Sequence, residues 1–118
     1  MIGSVLSTET ELLALEAASG DRGFLIFKHS TRCPISTQAE RLLARYEAPV
    51  NAPDLALVKV IESRSLSNHI ADRYGVWHES PQLLFIQNGK VVADASHFEV
   101  RGETIDAWLA QTKSESLG

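Results

Sequence analysis

Apolar residues recur along this chain with two different periods. Gly23-Phe24-Leu25-Ile26-Phe27 is an unbroken apolar run, and Leu55-Ala56-Leu57-Val58-Lys59-Val60-Ile61 is broken by one lysine. Runs of this length without polar alternation predict strands buried on both faces of a sheet, as in parallel pairs. Between them, Ile35, Ala39, Leu42, Leu43 and Tyr46 share one face of a helix predicted from Pro34 to about Glu47. Pro49 and Pro53 mark the connection that follows. A further helix, capped by Ser63 or Ser65, carries Leu66, Ile70 and Tyr74 on one face and closes at Gly75. Near the start, Thr8-Glu9-Thr10-Glu11 fits a capping box before Leu12, Leu13 and Leu15. That helix runs to about Ser19, with Gly20 stopping it in a left-handed turn.

The last third changes character. Gln82–Gln87 and Lys90–Asp94 flank Asn88-Gly89, a short hairpin signal. A final helix from about Gly102 to Lys113 turns Ile105, Trp108 and Leu109 inward and leaves 114–118 as a frayed tail. The order is helix, then strand-helix-strand-helix, then hairpin and closing helix. A βαβ unit and a ββα unit on one central four-stranded mixed sheet, with an extra N-terminal helix, is similar to the thioredoxin architecture, here a single α/β domain over 1–118. The first two core strands are parallel through their helical crossover. With the third antiparallel, the end of the first strand (Ser30 to Cys33), the start of the third (His78 to Pro81) and the exit of the fourth (Ala95 to Val100) share one sheet edge.

Cys33, the one cysteine, stands on that edge where a strand hands over to a helix. Unpaired first-turn amides and the helix dipole favour a thiolate there, and a free-thiol pKa near 8.5 falls to roughly 3.5–7.5 in such places. Pro34 gives up an amide that has no helical partner anyway. Ile35 and Ser36 supply backbone donors, with the Ser36 hydroxyl as a further one. Cys-Pro-Ile-Ser is the dithiol Cys-x-x-Cys arrangement with serine in the second place. On residue type alone, a lone cysteine is more often an inert buried hydrophobe, and its position argues the other way. Lys28, His29, Arg32, His78, His97 and Arg101 map to the same edge or its rim, as candidates for lowering the thiol pKa and attracting anionic ligands. Each, taken singly, is as readily a solvated surface residue. Ser80-Pro81 sits where thioredoxin-like folds place a cis-proline against the cysteine, turning backbone groups of Ser80 toward an extended ligand. Trp77 is assigned to the interface near this loop, and His69 to a surface or packing role.

Composition narrows the class. The chain has 118 residues, 44% hydrophobic and 22% charged, with a formal charge of −4. That balance argues against nucleic acid as the main partner. No apolar run reaches membrane-span length, and Met1 to Glu11 lacks the basic and apolar regions of a secretory signal. One cysteine excludes an internal disulfide and points to a reducing cytosol. No His/Cys spacing is a known metal-ligand pair.

Phe27-Lys28-His29-Ser30-Thr31-Arg32-Cys33-Pro34-Ile35-Ser36 resembles the signature of the YtxJ family, the monothiol bacilliredoxins of the bacillithiol system. His78-Glu79-Ser80-Pro81-Gln82 and Ser96-His97-Phe98 match two further family segments in order, with Phe98 where the family often has tryptophan. The resemblance implies a thioredoxin fold, a bacterial cytoplasm, Cys33 as nucleophile and activity on protein–bacillithiol mixed disulfides. It implies no tightly bound cofactor, with bacillithiol as co-substrate and S-thiolated client proteins as partners. With Ser36 unable to resolve the adduct, a second small thiol or another redoxin must clear it. A monomer that engages neither nucleic acid nor membrane is expected. The candidate site is Cys33, Pro34 and Ser36 for catalysis and Lys28, His29, Arg32, His78, Ser80, Pro81, Ser96 and His97 for substrate. Three alternatives stay open: a glutathione-linked monothiol glutaredoxin-like protein, an iron–sulfur carrier (which Pro34 would crowd), and a thioredoxin-fold binding or redox-sensing module without turnover.

Overall fold

The computed structural model describes the backbone of residues 1–117 and the side chains of residues 1–111. The strands are β1 (Ile2–Val5), β2 (Phe24–His29), β3 (Asp54–Lys59), β4 (Gln82–Gln87) and β5 (Lys90–Ser96). The helices are α1 (Glu9–Ser19), α2 (Pro34–Arg45), α3 (Arg64–Tyr74) and α4 (Gly102–Leu117), with a 3-10 turn at His97–Glu99. The sheet order is β1-β3-β2-β4-β5. β3 is parallel to β1 and β2, and β4 is antiparallel to β2 and β5.

The predicted four-stranded sheet is therefore corrected to five strands. Ile2-Gly3-Ser4-Val5 escapes a pattern reading because it is short, mostly exposed and irregular in register against β3 between Ile2 and Ser4. Its backbone pairing with an edge carries it where side-chain burial does not. α4 extends to Leu117, past Lys113 where the pattern ends it, and Gly118 lies outside the described residues.

The central strands lack polar alternation because both faces are covered. Phe24, Ile26, Ala56, Val58, Leu84 and Ile86 pack with Leu12 of α1 and Leu66 and Ile70 of α3. Leu25, Phe27, Leu55, Leu57, Leu83 and Phe85 pack with Ala39 and Leu43 of α2 and Ile105 of α4. The capping box at α1 forms: the Glu11 amide donates to Thr8 Oγ1 at 3.2 Å and the Thr8 amide to Glu11 Oε1 at 3.0 Å. Gly20 closes it at φ +50°, ψ −130°, a positive φ outside the left-handed helical well. Asn88 (φ 52°) and Gly89 (φ 76°) make the two-residue hairpin turn the sequence predicts. One helix face differs from expectation. α2 buries Ser36, Ala39 and Leu43, while Leu42 is exposed. A serine takes the inward position because its hydroxyl finds partners inside.

Candidate active site

The three predicted segments do share one sheet edge. Lys28 at the end of β2 pairs with Gln82 at the start of β4, which pairs with Ser96 at the end of β5. The His97 amide donates to the Pro81 carbonyl oxygen at 3.0 Å, tying the exit of β5 to the Ser80–Pro81 bond, which is cis. The end of β3 closes the same edge through the Val60 amide, which donates to the His29 carbonyl oxygen at 2.9 Å.

Cys33 is the N-cap of α2, in extended backbone (φ −105°, ψ 119°), half-buried, with Pro34 in the first turn. Its carbonyl oxygen accepts from the Thr37 amide at 3.0 Å and from Thr37 Oγ1 at 3.2 Å. Its amide donates to the Ser30 carbonyl oxygen at 3.2 Å, folding residues 30–33 into a tight turn. The strand-to-helix handover that the apolar pattern predicts is thus where the thiol sits.

Ser36, fully buried, accepts from the Ser30 amide at 2.9 Å and lies 2.7 Å from His29 Nδ1. His29 Nε2 is 3.4 Å from Glu40 Oε2. The Glu40 carboxylate favours a proton on Nε2, which leaves Nδ1 as acceptor and turns the single Ser36 hydroxyl hydrogen toward the ring. A three-member chain therefore runs from the first turn of α2 through a buried imidazole to a partly exposed carboxylate. Burial pushes the His29 pKa down, against the opposing pull of Glu40 and Glu62; Lys59 adds to the lowering. Glu40 escaped the sequence reading. Its signal was the four-residue spacing from Ser36, which puts both on one helix face.

Two of the expected rim cations are interior groups, a correction to their reading as direct ligand contacts. His29, 3% exposed, points toward α2. Lys28 has no exposed surface and lies on the opposite face of the sheet, where Nζ donates to the Ser67 carbonyl oxygen of α3 at 3.3 Å. Consecutive residues of a strand face opposite ways, and strong cover on both faces buries each. Burial lowers the Lys28 pKa to about 8. His78 Nδ1 stands 3.5 Å from Ser67 Oγ on the Lys28 side, and its pKa is lowered by burial and then by Lys28. Gln82 Nε2 donates to the Trp77 carbonyl oxygen at 2.9 Å. Ser80 Oγ and Gln82 Oε1 are buried with no partner among the described residues.

The exposed part of the edge carries Arg32, His78, His97 and Arg101. His97 Nε2 is 3.3 Å from Glu79 Oε2, so its neighbour across the cleft is acidic. Trp77 and Phe98 stand out at 91% and 75% exposure, and the 3-10 turn bearing Phe98 packs against α2. Trp77 is thus on the loop beside the site as expected, with its ring in solvent. Outside the edge, His69 Nδ1 pairs with Glu9 at 3.3 Å. A hollow of about 620 Å³ opens at the opposite end of the sheet, between Arg22, Val50, Pro53, Gln87, Asp106 and Leu109. It holds no nucleophile and belongs to no part of the thiol's surroundings. Among the described residues no three His, Cys, Asp or Glu side chains gather as for a metal ion, and no helix is long and apolar enough to cross a membrane.

The same fold recurs in solved structures. A thioredoxin-fold protein 26% identical to this chain superposes with a TM-score of 0.74, covering 88% of this chain and 91% of its own. Fasciola hepatica thioredoxin gives 0.75 at 16% identity, over 92% of this chain and 98% of that one. Chlamydomonas reinhardtii thioredoxin f2 gives 0.70 at 16% identity, over 92% and 94%. The last two speak for the fold alone. The family model for monothiol bacilliredoxin BrxC matches residues 4–105, a span that contains the cysteine turn, the cis-proline and the exit of β5. The resemblance read from residues 27–36, 78–82 and 96–98 is upheld, and with a single cysteine at the head of α2 this thioredoxin-fold chain belongs to the monothiol bacilliredoxin BrxC family.

Proposed function

We propose that Cys33 carries out monothiol exchange on protein–bacillithiol mixed disulfides in the cytoplasm. The observation that carries this reading is the pairing of positions in the first turn of α2. The thiol is the N-cap, and Ser36 fills the place of a resolving thiol with its hydroxyl held in hydrogen bonds. The thiolate of Cys33 attacks the small thiol's sulfur in the client's mixed disulfide. A Cys33–small-thiol disulfide forms, the client's S–S bond breaks, and the client sulfur leaves as a thiolate that takes up a proton. A second small thiol or another redoxin then attacks the adduct and frees Cys33, so the disulfide is carried away and no separate oxidant is required. No tightly bound cofactor takes part. Bacillithiol bears carboxylates, which the exposed Arg32 and Arg101 suit. His97, Ser96 and the Ser80–Pro81 backbone line the strip where the client chain would lie.

The test exposes the protein to one model client carrying bacillithiol or glutathione in mixed disulfide, and follows client release and the intact mass of the redoxin. Cys33→Ala serves as blank. An adduct on Cys33 and faster release with bacillithiol are expected. Equal or faster release with glutathione would replace the small thiol named here. No adduct with either would leave a binding or sensing module.

A further inference from the structure

We propose that the surface over Lys28, between Arg64 at the head of α3 and His78 ahead of the cis-proline, binds the carboxylates of the small thiol. This rests on the exchange reading of Cys33 and names the part of the site that holds the ligand's anionic end. Ser67 is the hub of the geometry. Its carbonyl oxygen accepts from Lys28 Nζ at 3.3 Å and its hydroxyl lies 3.5 Å from His78 Nδ1, so a strand end and a loop meet on one residue of α3. Arg64, the first residue of α3, precedes Ser67 by three and stands over the same side of the helix. Arg64 and His78 are exposed, open to a ligand. The Val60 amide, bonded to the His29 carbonyl oxygen at 2.9 Å, brings the chain entering α3 to the sheet edge that leads to Cys33.

Three basic groups thus gather at one edge of a chain whose formal charge is −4. Among the described residues none of the three has a carboxylate within ion-pair distance. The acids of the edge are engaged elsewhere. Glu40 and Glu62 act on His29 on the α2 side, and Glu79, next to His78 in the chain, pairs with His97 at 3.3 Å. The first turn of α3 holds no acid, and Ser63 makes no side-chain bond to its amides, so the positive helix end adds to the same field. Lys28 is sealed and touches no ligand; it acts through its charge, which the protein around it screens less than water would. An ammonium buried against one neutral acceptor weakens a fold, and perturbed charges of that kind cluster at functional sites. Burial, Lys28 and Arg64 lower the His78 pKa while Glu79 opposes them, as where positive groups crowd without an anion. A bound carboxylate relieves that crowding.

Succinate, a dicarboxylate without a thiol, probes the site apart from any exchange. The His78 ring-proton titration, assigned by its loss in His78→Gln, should move upward by about half a unit with succinate and not in sodium chloride of equal ionic strength. Arg64→Glu, at an exposed position where an acid suits the helix end, should weaken succinate about tenfold. Lys28→Met, which removes the buried charge and keeps the surface, should weaken it about threefold. In the exchange assay, Arg64→Glu should raise the KM for a bacillithiol mixed disulfide, relative to that for a neutral 2-mercaptoethanol mixed disulfide, by about tenfold. A His78 titration that succinate does not move, an affinity indifferent to either variant, or an unchanged KM ratio would overturn the proposal. No release from either disulfide, with succinate bound as expected, would remove the exchange reading and leave the anion site standing.

Discussion

The Lys28 ammonium donates to the Ser67 carbonyl oxygen at 3.3 Å from a side chain with no exposed surface. One neutral acceptor does not repay the loss of water around a cation, which is why burial brings its pKa from 10.5 to about 8. Between those two values the unfolded chain binds a proton that the folded one does not, so stability rises with pH across that window. Below pH 8 both states are protonated and the full penalty is present, on the order of 3 kcal/mol. Lys28→Met is therefore expected to be more stable than the native protein at pH 7, with the difference shrinking from pH 8 to 10. Urea denaturation of both proteins across that range measures it, and a difference independent of pH would show that the ammonium stays hydrated.

Arg73 Nη2 and the Tyr74 hydroxyl both donate to the Glu16 carboxylate, each at 2.6 Å, pinning α1 to α3. The Arg73 guanidinium lowers the Glu16 pKa, and the Tyr74 hydroxyl adds to it against partial burial. A carboxylate with a depressed folded value contributes stability above its unfolded value and loses it as pH falls through the folded one. Glu16→Gln should cost about 1 kcal/mol at pH 7 after solvent screening of the half-open pair. The cost should shrink as the pH falls through the lowered folded value. Thermal melts at pH 7 and in acid check the sign.

Gly23 precedes β2 at φ +78°, and a Cβ there would lie 2.3 Å from the Ile86 carbonyl oxygen. Gly20, at φ +50°, has nothing within 4 Å of the same atom. Gly20→Ala should cost only the conformational penalty of a side chain at positive φ outside the left-handed well, about 1–3 kcal/mol. Gly23→Ala adds a backbone collision at the head of the β2–β4 pair and should cost more than Gly20→Ala. Equal chemical-denaturation midpoints for the two variants would refute the distinction.

Ser36→Cys would give the helix head an internal thiol at the spacing of dithiol redoxins. After exposure to a small-thiol mixed disulfide, the native protein should keep its adduct on Cys33. The variant should discard it and retain an internal disulfide, because attack from the same helix turn outruns attack from solution. Intact mass before and after reduction separates the outcomes. A persistent adduct on the variant would mean that the two positions do not meet.

Strands and helices packed on a two-sided core were legible because burial on both faces erases polar alternation, as at Leu25 to Phe27 and Leu55 to Val58. The hairpin was legible because Asn88 and Gly89 are residues that tolerate positive φ. β1 was not, since its place comes from backbone pairing with β3, which leaves little trace in side chains. The position of Cys33 could be read from the handover between two periods. The fate of its neighbours could not. Lys28 and His29 look alike as basic residues at a strand end, yet pleating sends one to Ser67 and the other to Ser36. Polarity places such groups outside by default. Only the hydrogen-bond partners inside, Glu40 among them, reveal why they are not.

Trp77 supplies the last expectation, because its backbone and its ring are held so differently. Its carbonyl oxygen accepts from Gln82 Nε2 at 2.9 Å, anchoring the loop ahead of Pro81, while the indole is 91% exposed. A fixed backbone presenting a free aromatic ring beside a reactive thiol suits contact with a protein client more than with a small thiol. Removing the ring takes nothing from the core, so Trp77→Ala should change stability by no more than about 0.5 kcal/mol. It should raise KM for a thiolated protein client by about tenfold, the effect of losing a modest aromatic anchor of about 1.4 kcal/mol. Release from a small-molecule mixed disulfide should proceed unchanged. Paired kinetics on the two substrates decide the matter: an equal loss on both would assign Trp77 to the geometry of the thiol itself, and no loss on either would remove it from the client surface.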